Sequence, residues 1–205
     1  MTETTDLWLP ERELAAQGYS CICGVDEAGR GPLAGPVYAA AVILPFGLEI
    51  PGLNDSKKLS DAKRRELFPV ICEQALAYGI GFATEKEIDG INILQATFLA
   101  MRRALDALKL RPDLALIDGN RLTDFGVEAK SLVKGDSRSA SIAAASVLAK
   151  VSRDDVMEKL AEQYPQYGFE VHKGYGTKRH YAALREFGPC DIHRRTFLRS
   201  FYEKG

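Results

Sequence analysis

Apolar and polar positions along the chain follow two rhythms, and the places where one gives way to the other predict most of its elements. Tyr19 to Val25 and Pro36 to Leu44 are apolar and β-branched runs, read as two strands, with the Gly/Pro-rich connection G-R-G-P-L-A-G-P between them. Ser60 is placed to cap a helix through about Ala77, in which Leu67, Val70, Ile71, Gln74 and Leu76 roughly follow the turns, and Gly79 to Thr84 reads as a third strand. From Ile91 to Leu108, Leu94, Phe98, Met101, Leu105 and Leu108 recur at spacings of three and four, which is a helix stripe closed by Pro112. Leu114 to Ile117 and Val127 to Val133 are short apolar strands. A long helix from Ser139 to Gln163 opens on the small-residue run S-I-A-A-A-S, suited to close packing on a sheet, and Pro165 ends it. A last helix is expected at Thr177 to Phe187, before the Gly188-Pro189 break.

An antiparallel start followed by alternating strands and helices predicts an α/β class with a mixed five-stranded sheet flanked by helices and a helical C-terminal extension. The expected organisation is an N-terminal extension over 1–19, a catalytic domain over 20–170 and a basic helical extension over 171–205 packed on the same domain.

Composition narrows the class. With 46% hydrophobic and 27% charged residues the chain is an ordinary globular protein, long enough for one real core. The longest apolar run, Val37 to Phe46, is too short to cross a bilayer, and the polar, acidic N-terminus lacks the order of a signal peptide, so no membrane association and a cytoplasmic location are expected. Cys21, Cys23, Cys72 and Cys190 include no second close pair to complete a zinc site, and are read as reduced, packed thiols.

Charge is unevenly spread. Residues 1–170 carry 19 Lys+Arg against 25 Asp+Glu, whereas residues 171–205 carry 8 against 3. A basic tail on an acidic body is either an anion-binding surface, with nucleic acid the obvious partner, or a solvated basic helix. His172, His180 and His193 all fall in this tail, where basic surroundings favour anion contact or surface placement over metal ligation.

Carboxylates follow three of the apolar runs: Asp26-Glu27 after I-C-G-V, Asp118 after L-A-L-I, and Asp136 after S-L-V-K-G. In an open α/β sheet, strand ends border a crevice where side chains distant in sequence converge. Four clustered carboxylates need cations to offset their repulsion, and an all-oxygen donor set suits Mg²⁺ or Mn²⁺. Two such ions about 3.5–4 Å apart can clamp a phosphodiester. Asp113, Asp124, Asp154 and Asp155 are read as loop or helix-surface charges. Neither a Ser–His–Asp or Cys–His set in suitable context nor a P-loop or G-x-G-x-x-G pattern is present, which removes support for nucleotide-driven chemistry.

The run G-V-D-E-A-G-R-G-P-L-A-G-P-V at 24–37 closely resembles the signature of type 2 ribonuclease H, ribonuclease HII. N-D-S-K-K-L at 54–59, I-D-G-N at 117–120, K-G-D at 134–136, S-I-A-A-A-S-V-L-A-K-V-x-R-D at 141–154, H-K-G-Y-G-T at 172–177 and G-P-x-x-x-H-R at 188–194 agree in order. The resemblance implies a ribonuclease H-like fold and an endonuclease that cuts the RNA strand of RNA–DNA hybrids. It also implies incision of DNA duplexes 5′ to embedded ribonucleotides, leaving 3′-hydroxyl and 5′-phosphate ends. The family's metal-binding carboxylates fall on Asp26, Glu27, Asp118 and Asp136, the set reached independently from strand ends.

By the same resemblance, Gly29, Arg30 and Gly31 lie where the family reads a 2′-hydroxyl through its backbone, and Tyr175 where its tyrosine stacks on the neighbouring sugar. Lys57 matches a basic position near the phosphates, with Lys58 an open alternative. Two ions with substrate bound and a monomer are the expectations. The competing readings are a ribonuclease H-like nuclease of branched or all-DNA substrates and a non-catalytic hybrid-binding module.

Overall fold

A computed structural model describes residues 6–54 and 56–203; the first five residues of the N-terminal extension, Asp55 of the N-D-S-K-K-L block and the last two residues of the basic tail lie outside them. In chain order the regular elements are α1 (Leu9–Ala15), β1 (Ile22–Ala28), β2 (Val37–Ile43), α2 (Asp61–Gln74), β3 (Ala77–Ala83), α3 (Glu85–Asp106), β4 (Leu114–Asp118), β5 (Glu128–Leu132), α4 (Ala140–Gln163), α5 (Phe169–His172), α6 (Lys178–Phe187) and α7 (Arg199–Tyr202). The five strands form one mixed sheet in the order β3-β2-β1-β4-β5. β1 is central, antiparallel to β2 and parallel to β4, which in turn runs parallel to β5.

Each face of the sheet is covered because its side chains alternate between two cores. Val25, Val37, Ala39 and Ala41 pack with Phe98, Met101 and Ala104 of α3 on one side. Ala28, Ala40 and Val42 pack with Leu67 and Ile71 of α2 and with Ala144, Ala145 and Leu148 of α4 on the other. The small-residue run of α4 does what its composition suggests: a Cβ on Gly24 of β1 would lie 2.1 Å from the carbonyl carbon of Ser141, so the helix rests almost directly on the strand. A third core joins Leu33 and Ala34 of the β1–β2 connection to Met157 of α4 and to Tyr167, Phe169, Leu184 and Ile192 of the C-terminal segment.

Ser60, Ser139 and Thr177 cap α2, α4 and α6, each side chain accepting from an N–H three residues on. Other boundaries move. α2 ends at Gln74, short of Ala77, because β3 already begins there. α3 starts at Glu85 through a capping box between Thr84 and Glu87, then kinks at Asn92, whose φ of 66° is left-handed. Its apolar stripe belongs to the part after the kink, where the Asn92 side chain accepts from the N–H of Leu94 and Gln95 and restarts the helix.

Helix α1 is absent from the elements that the hydrophobic pattern predicts. It is held by the Trp8 indole donating to the Leu48 carbonyl at 3.0 Å and by buried Glu11, which accepts from the Ser139 hydroxyl and the Ser141 N–H. All four cysteines are free thiols, and no helix among the described residues is long and apolar enough to cross a membrane.

Candidate metal centre and nucleic-acid cleft

Three of the four acids converge. Asp26 projects from central β1, Asp118 closes the adjacent parallel β4, and Asp136 sits on a 3-10 turn, Gly135–Ser137, directly after β5. Carboxylate oxygens of Asp26, Asp118 and Asp136 lie within 4.8 Å of one another. The turn is aimed by Lys134 in the left-handed region and tied back by the Gly135 N–H donating to Asp118 Oδ1 at 2.7 Å. A Cβ at Gly135 would come within 2.5 Å of Ile142, so glycine is what allows Asp136 to close on its partners.

Glu27 is arranged differently. β1 continues through Ala28, so the two adjacent acids lie inside the strand, whereas the apolar run in the sequence stops at Val25. Neighbouring strand residues point to opposite faces, and the Glu27 carboxylate pairs with Arg30 at 3.2 Å outside the close trio. It still faces the same cleft, of about 240 Å³, which is lined by Asp26, Glu27, Gly29, Arg30, Gly31, Lys57, Asp118 and Tyr175.

Electrostatics favour a cation here. Burial first, then Glu27 and Asp118, push the Asp26 carboxyl well above its ordinary range. Burial likewise raises Asp118 against the opposing Gly135 N–H, and raises Glu27 against Arg30. The Lys57 ammonium reaches Asp136 at 2.7 Å, but one exposed lysine does not balance the group. An all-oxygen, partly buried and mutually repelling donor set fits a hard divalent ion, and Asp26, Asp118 and Asp136 are the residues that would hold it, with Glu27 within reach of the same cleft.

Around the acids, Gly29 has a φ of 92°, and a Cβ there would collide with buried Arg153. A Cβ on Gly31 would lie 3.5 Å from the half-exposed Tyr175 ring, so the G-R-G turn and the tyrosine are neighbours. Of the two lysines left open by the sequence, Lys57 lines the cleft and Lys58 does not. Sequence reasoning missed Ser56, Arg64, Ser146 and Lys150, which also line it. Ser146 and Lys150 carried a usable signal, being four apart on one face of α4.

Two expectations are overturned. His172, His180 and His193 are buried in the third core, where stacking and hydrogen bonds among themselves and to backbone replace any anion contact. Asp154 is buried too, paired with Lys150 at 2.7 Å. The basic tail is not a continuous stripe either: Arg194 is buried, Lys173 pairs with Glu158 and Arg179 with Glu170.

A five-stranded mixed sheet with carboxylates gathered from central β1, from the end of β4 and from the turn after β5 defines a nuclease of the ribonuclease H-like fold. The ribonuclease H2 structure from Pyrococcus horikoshii OT3 superposes with a TM-score of 0.73 at 27% identity, covering 91% of this chain and 100% of that one. A family model for ribonuclease HII matches residues 23–203. Ribonuclease HII of Syntrophotalea carbinolica is 58% identical over 187 residues, 91% of this chain and 90% of that protein. Ribonuclease HII of Caldicellulosiruptor saccharolyticus is 53% identical over 190 residues, 93% of each. The chain belongs to the ribonuclease HII family, whose members are divalent-metal-dependent ribonuclease H endonucleases.

Proposed function

We propose that this chain hydrolyses the RNA strand of RNA–DNA hybrids and incises DNA duplexes on the 5′ side of an embedded ribonucleotide, leaving 3′-hydroxyl and 5′-phosphate ends. The observation that carries this reading is a single cleft lined both by Asp26 and Asp118, which share a three-carboxylate cluster within 4.8 Å with Asp136, and by the G-R-G turn with Tyr175 beside it. Divalent ions, Mg²⁺ or Mn²⁺, would supply water activation and charge stabilisation at the phosphate. Asp26, Asp118 and Asp136, with Glu27, orient them. Gly29 to Gly31 approach the ribose with main-chain groups, and at Gly31 no Cβ stands on the side that Tyr175 faces. The Tyr175 ring stacks against the adjoining sugar, and Arg30 and Lys57 meet phosphates. The 2′-hydroxyl is the feature that separates an RNA residue from its DNA neighbours.

The test is a DNA duplex carrying one ribonucleotide, incubated with Mg²⁺ or Mn²⁺ beside an all-DNA duplex and an RNA–DNA hybrid. Cleavage on the 5′ side of the ribonucleotide and of the hybrid's RNA strand, with all-DNA intact, is the expected outcome. Cutting of the all-DNA duplex, or binding without cutting, would overturn the reading.

A further inference from the structure

The G-P-x-x-x-H-R block at 188–194 lines no part of the cleft, yet its last two residues reach both elements assigned to ribose. Arg194 is fully buried and makes no ion pair with a carboxylate among the described residues. Its guanidinium donates to three main-chain carbonyls of the β1–β2 connection: Nε to Gly35 at 2.9 Å, Nη1 to Arg30 at 2.9 Å and Nη2 to Gly29 at 2.6 Å. Its face lies over the Phe197 ring, 5.2 Å from the centroid. Burial, and after it the charge of Arg153, bring the guanidinium's pKa down to about 9, which leaves it cationic at neutral pH.

Peptide geometry turns these contacts into a statement about the cleft. All peptide bonds described are trans, and in a trans peptide the carbonyl of one residue and the N–H of the next point in opposite directions. With the Gly29 and Arg30 carbonyls drawn inward to Arg194, the N–H groups of Arg30 and Gly31 point away from it, on the side of the cleft that these residues line. Neither N–H meets an acceptor among the described residues. A buried cation is expensive unless its donors are used, and a planar fork is the side chain that can hold adjacent carbonyls at a fixed separation.

The preceding residue faces the other way. His193 Nε2 meets His180 Nε2 at 3.0 Å, and His180 Nδ1 meets the Tyr175 carbonyl at 2.9 Å. A carbonyl only accepts, so His180 carries its proton on Nδ1, His193 donates from Nε2, and His193 Nδ1 accepts from the Cys190 N–H at 3.0 Å. The backbone completes the tie: Arg194 N–H donates to the Leu33 carbonyl, and Leu33 N–H to that of Gly174, beside Tyr175.

We propose that Arg194 is a positioning residue for ribose discrimination, fixing the Gly29–Gly31 turn with its N–H groups toward the cleft while His193, through His180, holds Tyr175 at matching distance. This rests on the ribose-reading role proposed for the turn and for Tyr175. Arg194→Lys keeps a positive charge but cannot bridge two carbonyls at fixed spacing. Steady-state cleavage is compared for a duplex with a single ribonucleotide and for an RNA–DNA hybrid, in the same Mg²⁺ or Mn²⁺ buffer and on the same preparation. A variant that is only less stable has fewer active molecules for both substrates, so the ratio of its two kcat/KM values stays that of the wild type.

A misplaced turn instead penalises the substrate that offers one 2′-hydroxyl more than the one that offers many. The expected result is a fall of about tenfold or more in the ratio, in line with the sensitivity of reacting geometry to displacements of about 1 Å, with Kd for the single-ribonucleotide duplex in EDTA changed by less than about threefold. Should Arg194→Lys yield no folded protein, Phe197→Leu, which removes the ring under the guanidinium, is judged by the same ratio. An unchanged ratio in a folded variant overturns the inference. Failure of the wild type to cut either ribonucleotide-containing substrate removes instead the functional reading beneath it.

Discussion

Replacing Asp136 by Asn tests the metal centre through stability as well as activity. Asp136 is 4% exposed and shares with Asp26 and Asp118 a cluster spanning at most 4.8 Å. Two unit charges at that separation repel by about 3 kcal/mol at an effective dielectric constant near 20. The attraction that disappears with the charge is the ion pair to Lys57, whose side chain is 75% exposed against 5% for that of Asp136, and screening on the lysine side holds such a pair to about 1 kcal/mol. Neutralisation therefore relieves more than it removes. In EDTA the Asp136→Asn protein should be as stable as the wild type or more stable by about 1–3 kcal/mol, a rise of roughly 2–4 °C per kcal/mol for a chain of this size.

Added Mn²⁺ or Mg²⁺ reverses the order. A ligand present at about a hundred times its Kd stabilises the state that binds it by roughly 2.7 kcal/mol, and the variant, lacking one donor, should lose most of that increment together with nearly all cleavage. Hybrid binding in EDTA should persist, since the substitution removes a metal ligand and no duplex contact. Melting curves with and without metal, with a cleavage assay on the same preparations, measure all of these. Wild-type turnover by Asp136→Asn, or an undiminished metal-induced rise in Tm, would refute the assignment; a large loss of stability in EDTA would refute the electrostatic reasoning.

Other outcomes follow from the same geometry. Tyr175→Ala should reduce cleavage at a single ribonucleotide more than it lowers Tm, because the ring is 46% exposed while its backbone carries the structural bonds; an equal effect on junction and all-RNA-strand substrates would remove the stacking role. Gly24→Ala should destabilise by about 3 kcal/mol or more, at or beyond the upper end of overpacking costs, since the new methyl meets α4 backbone at 2.1 Å; a urea midpoint equal to that of the wild type would contradict this close approach. Burial lowers all three imidazole pKa values, that of His193 to about 4. The unfolded chain thus binds protons first, and the stability held above about pH 6.5 is lost as pH falls toward 4, by about 3 kcal/mol for His193. Raised carboxylates such as Asp26 act in the opposite sense, so the check is the difference between wild type and His193→Gln across pH 7.5 to 4.5, which should shrink on acidification; a constant difference would sink it.

The acids were legible because a carboxylate after an apolar run leaves few places for the strand to put it, and the helix caps because a hydroxyl before a periodic run has one local partner. The small residues of α4 were legible for a related reason, since only a close neighbour explains so many alanines in a row. What escaped depended on burial that only the folded chain supplies. Three histidines among basic residues look solvent-facing in sequence, yet each ring nitrogen is matched by a carbonyl or an N–H two to five residues away or by another imidazole, in a core that the pattern of charges does not show. Asp154 reads as a surface charge because Lys150, one turn earlier, gives an exposed pair as readily as a buried one. Helix α1 has little amphipathic pattern in its seven residues, and is fixed by Trp8 and Glu11 reaching Leu48, Ser139 and Ser141. The start of α3, like the Ser146–Lys150 face of α4, is a miss with a local signal, here T-x-x-E at 84–87.

On the proposed reading, the basic tail acts by two routes that charge counting merges. Its exposed cations, among them Lys178, Arg185 and Arg195, can add only salt-dependent attraction to a duplex, which is blind to whether one sugar carries a 2′-hydroxyl. Arg194, contributing the same formal charge, faces no solvent and serves only to orient carbonyls of the turn that follows Asp26 and Glu27. Raising ionic strength should therefore weaken duplex binding while leaving the preference for a ribonucleotide intact, whereas losing the Arg194 fork should do the reverse. Affinity and selectivity then separate within a single segment, according to whether each arginine faces water or the backbone.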